Sequence, residues 1–246
     1  MKNLKHFISI KSLYVFILLG LICLIYSMLF YKKEGFSNSS STNQNQNQNQ
    51  NQTIVLMGDS ILKNNVYVGK DKAVEHILKK QYSGTLINLA RDNSTVSDIY
   101  DQIDEIDPSL NHKNTTIFVS IGGNDILNKY VYVTKDIDID DFNMLYKIYS
   151  DYKDALRKLK AKMPKAKLML MNLYYPRSQK YTRYRELIKK WNDLLFEYAD
   201  DPIHKVNDVL DLSLIMTEIN DFSLCIEPSE KGSVKIAREI LLLSNE

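Results

Sequence analysis

The segment IVLMGDSI, residues 54–61, decides how the chain is expected to fold. Four consecutive apolar residues, two of them β-branched, are typical of a strand that is buried on both faces. Gly58 then permits a tight turn, and Ser60 follows at the end of the strand, where its hydroxyl can point into a crevice. A serine after an aspartate also suits a structural turn or a helix cap, so this segment alone leaves the role of Ser60 open.

Four further β-rich runs follow, and helical patterns fill the intervals between them. The predicted strands lie at residues 53–57, 85–89, 116–121, 167–173 and 203–207. The predicted helices lie at residues 71–81, 97–104, 141–163, 181–198 and 229–243. This alternation predicts an α/β fold of three layers, with a five-stranded parallel sheet between helices. Ligands bind such sheets beyond the carboxyl ends of the strands, where Ser60 is expected to lie.

The N-terminal part of the chain differs in composition from the rest. Residues 1–12 form a short basic tail, and residues 13–31 carry no formal charge and are rich in Leu, Ile, Val and Phe. As a helix, the second stretch would span about 28 Å, which matches a bilayer core and predicts a transmembrane signal anchor. One alternative is a cleaved signal peptide, whose apolar region is usually shorter and ends in small residues. Another is a buried core helix.

Residues 32–52 are polar and become a strict Asn-Gln alternation from Asn43, which predicts a disordered tether. The folded domain is therefore expected at residues 53–246. The lysines before the apolar stretch outnumber those after it, which favours a cytoplasmic N-terminus and a lumenal or extracellular domain. A membrane is thus an expected partner, through residues 13–31.

The formal charge of +2 hides a difference between the anchor region and the domain. The first 52 residues carry five lysines and one glutamate, which leaves −2 for the domain. Such a domain lacks the basic surface that a nucleic acid backbone requires, so no nucleic acid partner is expected. Cys225 is the single cysteine of the domain, so no disulfide can form within it. We expect neither a cofactor nor a metal.

A second cluster with chemical potential follows the third predicted strand. Residues 122–125 read GGND. The two glycines let the backbone approach a ligand, and the Asn124 side-chain amide can donate a hydrogen bond to a developing oxyanion. Asn124 and Ser60 are expected together at the carboxyl edge of the sheet.

These segments resemble those of the SGNH hydrolase superfamily, also called the GDSL esterases and lipases. The resemblance rests on GDSI at residues 58–61, GGND at 122–125 and EPSEKG at 227–232, and it extends over nearly the whole domain. It implies a flavodoxin-like sheet of strand order 2-1-3-4-5. It also implies that Ser60 is a nucleophile, with its own backbone N–H and the Asn124 side chain in the oxyanion hole.

Two blocks of the sequence depart from the family pattern. Ala90 and Asn93 stand where the family has two glycines, the second of which gives a backbone N–H to the oxyanion. Asparagine tolerates left-handed backbone angles better than other non-glycine residues, so Asn93 can still aim its N–H at the oxyanion. In the last block, Leu224 and Glu227 replace the family's Asp and His.

These replacements leave Ser60 without its usual base. Glu227 can take that role if burial raises its pKa toward neutrality, with Leu224 supplying apolar surroundings. The alternative is that Glu227 caps the last helix or is solvated. None of the four histidines is expected near the site: His6, His76, His112 and His204.

Two functions remain open. The first is a membrane-anchored serine esterase, lipase or acyltransferase that attacks an ester-linked acyl group through Ser60, with Glu227 as base. Asn93 and Asn124 would then be the oxyanion donors. The second is an inactive descendant that binds a small acylated or glycosylated ligand, because the Asp and the His are missing together. A purely structural role has no positive support. The aromatic and basic residues at 174–185 suit an acyl or sugar pocket and a helix start equally.

Overall fold

The protein is described by a computed structural model that covers residues 52–128 and 137–245. Its strands are β1 Thr53–Gly58, β2 Thr85–Asn88, β3 Thr115–Ser120, β4 Lys167–Met171 and β5 Asp208–Leu210. They form one parallel sheet of order β2-β1-β3-β4-β5, which confirms the predicted topology. The predicted tail and anchor, and the tether up to residue 51, lie outside the described residues. Within the described part, no helix combines the length and the apolar character needed to cross a membrane.

Helices cover both faces of this sheet. The α-helices of the described residues are α1 Asn65–Val68, α2 Val74–Gln81, α3 Ile99–Glu105, α4 Gly123–Asn128, α5 Ile139–Lys162, α6 Arg185–Asp200, α7 Leu212–Ile215 and α8 Glu230–Ser244. Helix α8 packs against α2, whereas α5 packs against α3 and α6. The predicted three-layer arrangement is therefore confirmed.

The register of β1 with its neighbours shows where the carboxyl edge of the sheet lies. All six residues of β1 are buried, as expected of a strand covered by helices on both faces. Gly58 at the end of β1 aligns with Ser120 at the end of β3, and Ser120 aligns with Met171 at the end of β4. Three strands thus end at the same level, and the loops that follow them meet.

Helix α6 buries an apolar face whose centre is Trp191. This indole is fully buried and lies 5.3 Å from the ring of Tyr152 and 6.3 Å from that of Tyr149, measured between ring centroids. Both tyrosines belong to α5. The aromatic cluster therefore fixes α6 against α5 on one face of the sheet.

The fifth predicted strand, residues 203–207, was placed wrongly. The structure has a 3₁₀ turn at Pro202–His204, and β5 begins only at Asp208. Proline at the first position of the turn and the Asp201 side chain, which accepts a hydrogen bond from the Ile203 N–H at 3.0 Å, stabilise the turn. Ile203 is 75% exposed, so its β-branched side chain gave a misleading strand signal.

A short hairpin precedes α8 where only a loop was expected. It pairs β6 Phe222–Ser223 with β7 Glu227–Pro228 in antiparallel fashion. Leu224 and Cys225 turn the hairpin with positive φ angles of 48° and 73°. The hairpin carries Glu227 toward the carboxyl edge of the parallel sheet.

Candidate active site

A tight turn after β1 presents Ser60. Gly58 has a φ of 130°, and a Cβ at this position would lie 1.7 Å from the Ser120 carbonyl oxygen, so only glycine fits. Gln102 of α3 clamps the turn. The Gly58 N–H donates to Gln102 Oε1 at 2.7 Å, and Gln102 Nε2 donates to the Gly58 carbonyl at 2.9 Å. This clamp, which was not expected from the sequence, holds the backbone that leads into Ser60.

Ser60 and Glu227 meet in the crevice. The Ser60 hydroxyl lies close enough to the Glu227 carboxyl group to influence its ionisation. Burial raises the pKa of Glu227, the interaction with the Ser60 hydroxyl opposes this rise, and the negative charge of Asp92 adds to it. One carboxyl oxygen, Oε2, is buried and has no hydrogen-bond partner among the described residues. A serine hydroxyl therefore lies against a carboxylate that is more basic than a solvated glutamate.

Glu227 does not cap the last helix. The cap of α8 is Ser229, whose hydroxyl accepts a hydrogen bond from the Gly232 N–H at 3.2 Å. The expectation that Leu224 would supply apolar surroundings for Glu227 is wrong, because Leu224 is 70% exposed at the hairpin tip. Tyr174 and Ile226 share the pocket wall with Glu227 instead, and the Tyr174 hydroxyl donates to the Ile226 carbonyl at 2.7 Å.

Asp92 and Tyr67 form a hydrogen-bonded pair that acts on Glu227 through its charge and was not predicted. The Tyr67 hydroxyl donates to Asp92 Oδ1 at 2.7 Å and so fixes the loop that follows β2. Burial, this hydrogen bond and the charge of Glu227 raise the pKa of Tyr67, so the phenol remains a hydrogen-bond donor. Asp92 is thereby held where its charge acts on Glu227.

Asn124 lies at the start of α4 and lines the same pocket as Ser60. Its Nδ2 donates to the Ser94 carbonyl at 2.9 Å. An amide nitrogen carries two hydrogens, so this bond orients the group and leaves a second donor. The structure thus brings together three of the four predicted site residues: Ser60, Asn124 and Glu227.

Asn93 adopts the left-handed backbone that was expected of it, with a φ of 60°. Its side chain is exposed and donates to Asp92 Oδ2 at 3.1 Å, so it does not line the pocket. No described residue accepts a hydrogen bond from the backbone N–H of Asn93 or of Ser60. Asn93 therefore brings only its backbone to this edge of the sheet.

Asp59 is a buried carboxyl group beside Ser60 that was not singled out from the sequence. It is 2% exposed, and its Oδ1 accepts a hydrogen bond from the Ile61 N–H at 3.1 Å. Burial raises the pKa of Asp59 to about 8, the Ile61 hydrogen bond opposes the rise, and the charges of Glu227 and Asp125 add to it. At neutral pH Asp59 is therefore largely protonated, and Glu227 does not face a second full charge there.

A small pocket with a cavity volume of about 40 Å³ adjoins Ser60. This volume is well below the roughly 300–1,000 Å³ that is typical of ligand sites, so the enclosed part of the pocket admits only a small group. Its apolar wall consists of Ile61, Ile126, Leu127, Leu173, Tyr174, Pro176, Ile188 and Ile226. Its polar residues are Asp59, Ser60, Asn124 and Glu227. A mostly apolar pocket with a polar end suits an acyl group whose carbonyl lies beside Ser60.

The three histidines of the described residues lie elsewhere. The His204 ring stacks on Tyr198 at 3.7 Å, and His112 Nδ1 lies 3.4 Å from the Thr115 hydroxyl. His76 lines a separate cavity together with lysines. None of the three lines the Ser60 pocket. The described residues also contain no group of three or more His, Cys, Asp or Glu side chains that could hold a metal ion.

Comparisons with known proteins agree with this fold. Residues 56–232 match the family model of GDSL-like lipases and acylhydrolases. No curated protein matches the chain. A member of the lipolytic G-D-S-L family from Veillonella parvula is 18% identical with a TM-score of 0.60, covering 78% of this chain and 97% of its own.

Two further solved structures are similar. The acetylxylan esterase of Geobacillus stearothermophilus is 15% identical with a TM-score of 0.56, covering 80% of this chain and 96% of its own. Phospholipase A1 of Streptomyces albidoflavus is 14% identical with a TM-score of 0.55, covering 79% and 99%. At such identities these structures support the fold alone. The family match, which spans most of the chain, confirms the resemblance that the sequence suggested: the chain belongs to the GDSL-like lipase/acylhydrolase family.

Proposed function

We propose that this protein is a serine esterase in which a Ser60–Glu227 pair replaces the usual triad. The observation that carries the proposal is that Ser60 and Glu227 line the same pocket, where the serine hydroxyl acts on a carboxyl group whose pKa burial raises. A general base works best when its pKa approaches the working pH, and burial moves Glu227 in that direction. Asn93, through its backbone N–H, and Asn124, through its side chain, are proposed with the Ser60 N–H as oxyanion donors.

The chemistry follows from this arrangement. The Ser60 oxygen attacks the acyl carbonyl carbon while its proton moves to Glu227, and the oxyanion develops toward the three donors. Glu227 then returns the proton to the departing alkoxide, which leaves an acyl-Ser60 intermediate. A water molecule, or the hydroxyl of an acceptor in an acyl transfer, then attacks the acyl carbonyl carbon and gives its proton to Glu227. Glu227 returns that proton to the departing Ser60 oxygen as the acyl group is released. In each half-reaction, Glu227 therefore accepts one proton and later returns it.

We also propose that residues 13–31 anchor the protein in a membrane and that residues 32–52 tether the domain on the lumenal or extracellular side. The support is the length of the uncharged stretch and the lysine excess before it. Alkaline extraction of membranes should leave the full chain in the pellet, and deletion of residues 13–31 should release it. Digestion of the domain by protease in sealed cytoplasm-out vesicles would contradict the proposed orientation.

A second candidate function is a catalytically inactive protein that binds an acylated or glycosylated ligand. The observation that favours it is the replacement of both the Asp and the His by Leu224 and Glu227. In comparable triads, loss of the histidine lowers turnover by roughly 10⁶-fold. The two candidates differ in one measurable property, the reactivity of Ser60.

A fluorophosphonate probe on the full chain in detergent separates these functions. Covalent labelling should occur, disappear in Ser60→Ala, and increase with pH as Glu227 loses its proton. Glu227→Gln should reduce labelling by roughly 10² or more, whereas Glu230→Gln, the same charge change on an exposed neighbour, should not. Absence of labelling throughout the range from about pH 5 to 9 would favour the binding protein.

A further inference from the structure

A short segment at the mouth of the pocket concentrates positive charge. We call residues 175–190 the rim segment; it covers the end of the loop after β4, the 3₁₀ turn Gln179–Tyr184 and the start of α6. It carries one acid, Glu186, against six cations: Arg177, Lys180, Arg183, Arg185, Lys189 and Lys190. The rim segment is thus +5 within a domain of −2. Such a contrast needs a physical reason beyond solubility.

Four of the six cations of the rim segment lie over tyrosine rings. Arg177, Lys180 and Arg185 have no described carboxylate within ion-pair distance, whereas Lys189 pairs with Asp193 at 2.6 Å. The cation–ring pairs, measured to the ring centroid, are Lys180 over Tyr181 at 5.3 Å, Arg183 over Tyr184 at 4.9 Å, Arg185 over Tyr175 at 5.0 Å and Lys190 over Tyr146 at 5.7 Å. Stacking orients a cation and leaves N–H groups toward solvent for an anion.

The rim segment is continuous with the Ser60 pocket. Pro176 and Ile188 belong to both, because their side chains line the pocket wall. Tyr175, which follows the pocket residue Tyr174, lies under the Arg185 guanidinium. A ligand with its ester beside Ser60 would therefore extend over the rim segment on leaving the pocket.

We infer that the rim segment binds a polyanionic glycan whose ester-linked acyl groups enter the Ser60 pocket. Acidic groups of the glycan would pair with arginine and lysine, and its sugar rings would lie on the partly exposed rings of Tyr175 and Tyr181. This inference rests on the proposed esterase function and specifies its substrate class. The composition disfavours a lipid surface, because Leu187 and Ile188 are buried and leave no aliphatic side chain to insert.

Binding is best measured in the full chain carrying Ser60→Ala, in detergent, so that turnover plays no part. The probes are fluorescent polygalacturonate, which bears carboxylates, dextran sulfate, which bears sulfates, and neutral dextran as the uncharged control. We expect one or both anionic polymers to bind, with an affinity that falls at least tenfold between about 20 and 200 mM salt. The affinity falls because the release of counterions on binding is less favourable when the salt concentration is high. Neutral dextran should not bind.

Charge-removing variants locate the site. Lys180→Gln with Arg185→Gln should weaken binding by about tenfold at low salt and reduce the dependence of log affinity on log salt by roughly one to two. The matched control is Arg157→Gln with Lys158→Gln, one arginine and one lysine on α5 that pair with acidic groups. The control should bind within about twofold of the parent, since those cations already have local partners.

Each outcome has a defined meaning. Equal weakening in both double variants, or binding of neutral dextran as strong as that of the anionic polymers, overturns the inference. Failure of both anionic polymers to bind also overturns it, as does a rim-dependent preference for anionic phospholipid vesicles or RNA over the glycans. Fluorophosphonate labelling of the Ser60 chain is measured separately. Labelling without glycan binding refutes the rim inference alone, and glycan binding without labelling refutes the esterase alone.

Discussion

Gly122 and Gly123 offer a sharp test of how the Asn124 loop is held, because these two adjacent glycines have different surroundings. Gly122 has a φ of 106°, and a Cβ there would lie 2.3 Å from Cζ2 of the buried Trp191. Gly123 begins α4, and a Cβ there would meet Leu173 at 3.5 Å, an ordinary contact. The sequence suggested that both glycines let the backbone approach a ligand. The structure assigns Gly122 to packing against the indole, and only Gly123 lines the pocket.

The expected cost of Gly122→Ala follows from these contacts. Overpacking against a ring that cannot retreat costs about 1–3 kcal/mol, and the left-handed backbone adds roughly 1–2 kcal/mol. The free energy of unfolding should therefore fall by about 2–5 kcal/mol. Gly123→Ala should change it by less than about 1 kcal/mol, because alanine favours the helix and meets no close atom.

Urea and thermal unfolding, followed by circular dichroism, measure the difference. For a domain of this size, each kcal/mol shifts the melting temperature by about 2–4 °C. Gly122→Ala should therefore melt roughly 5–15 °C below the parent, and Gly123→Ala within about 4 °C of it. Equal losses in the two variants, or an unaffected Gly122→Ala, would refute the assignment of Gly122 to the Trp191 contact.

Three further predictions concern charge. Because the folded chain holds a proton on Asp59 up to a pKa of about 8, against an ordinary value of 3.8, its stability should fall as the pH rises through that window. Asp59→Asn should flatten this decline in urea titrations at several pH values. Glu227→His should raise the rate on a small activated ester such as p-nitrophenyl acetate by roughly tenfold, since imidazole is the better base, and no gain would mean that the ring cannot reach Ser60. Lys235→Met should destabilise the domain by about 1–3 kcal/mol, because it leaves the fully buried Asp221 without its 2.7 Å partner. The control Lys231→Met, which breaks an exposed pair, should cost less than about 1 kcal/mol.

The sheet could be predicted where strands are covered on both faces. Such strands read as continuous apolar runs, as in residues 54–57, and their order followed from the family resemblance. Strand β5 is only three residues long at the sheet edge, and its signal was weaker than that of the exposed Ile203 nearby. Asp201 and Pro202 stabilise the 3₁₀ turn there through local capping. Strand propensity, which depends on single residue types, does not include this effect.

The predicted site residues shared one property, a position just after a strand or in a family block. Gln102 and Tyr67 lie neither just after a strand nor in a family block. Their hydrogen-bond partners are 44 and 25 residues away in the sequence, so no local pattern connects them to the site. Gln102 did carry a signal: it is a polar residue beside Ile99 and Ile103 on the buried side of α3. A polar side chain on an apolar helix face needs a buried partner, and here that partner is the Gly58 backbone.

Asp92 links the absence of the usual triad to the character of the present base. Its negative charge disfavours the ionised form of Glu227 and so raises the pKa of that carboxyl group. The same charge would favour an imidazolium at this position, as the orienting aspartate does in a triad. Although Leu224 stands where the family has its Asp, Asp92, held by Tyr67, contributes a negative charge to the site from another loop. This is why Glu227→His is expected to gain activity with Leu224 unchanged: the charge that makes a carboxyl group more basic would also stabilise the protonated histidine.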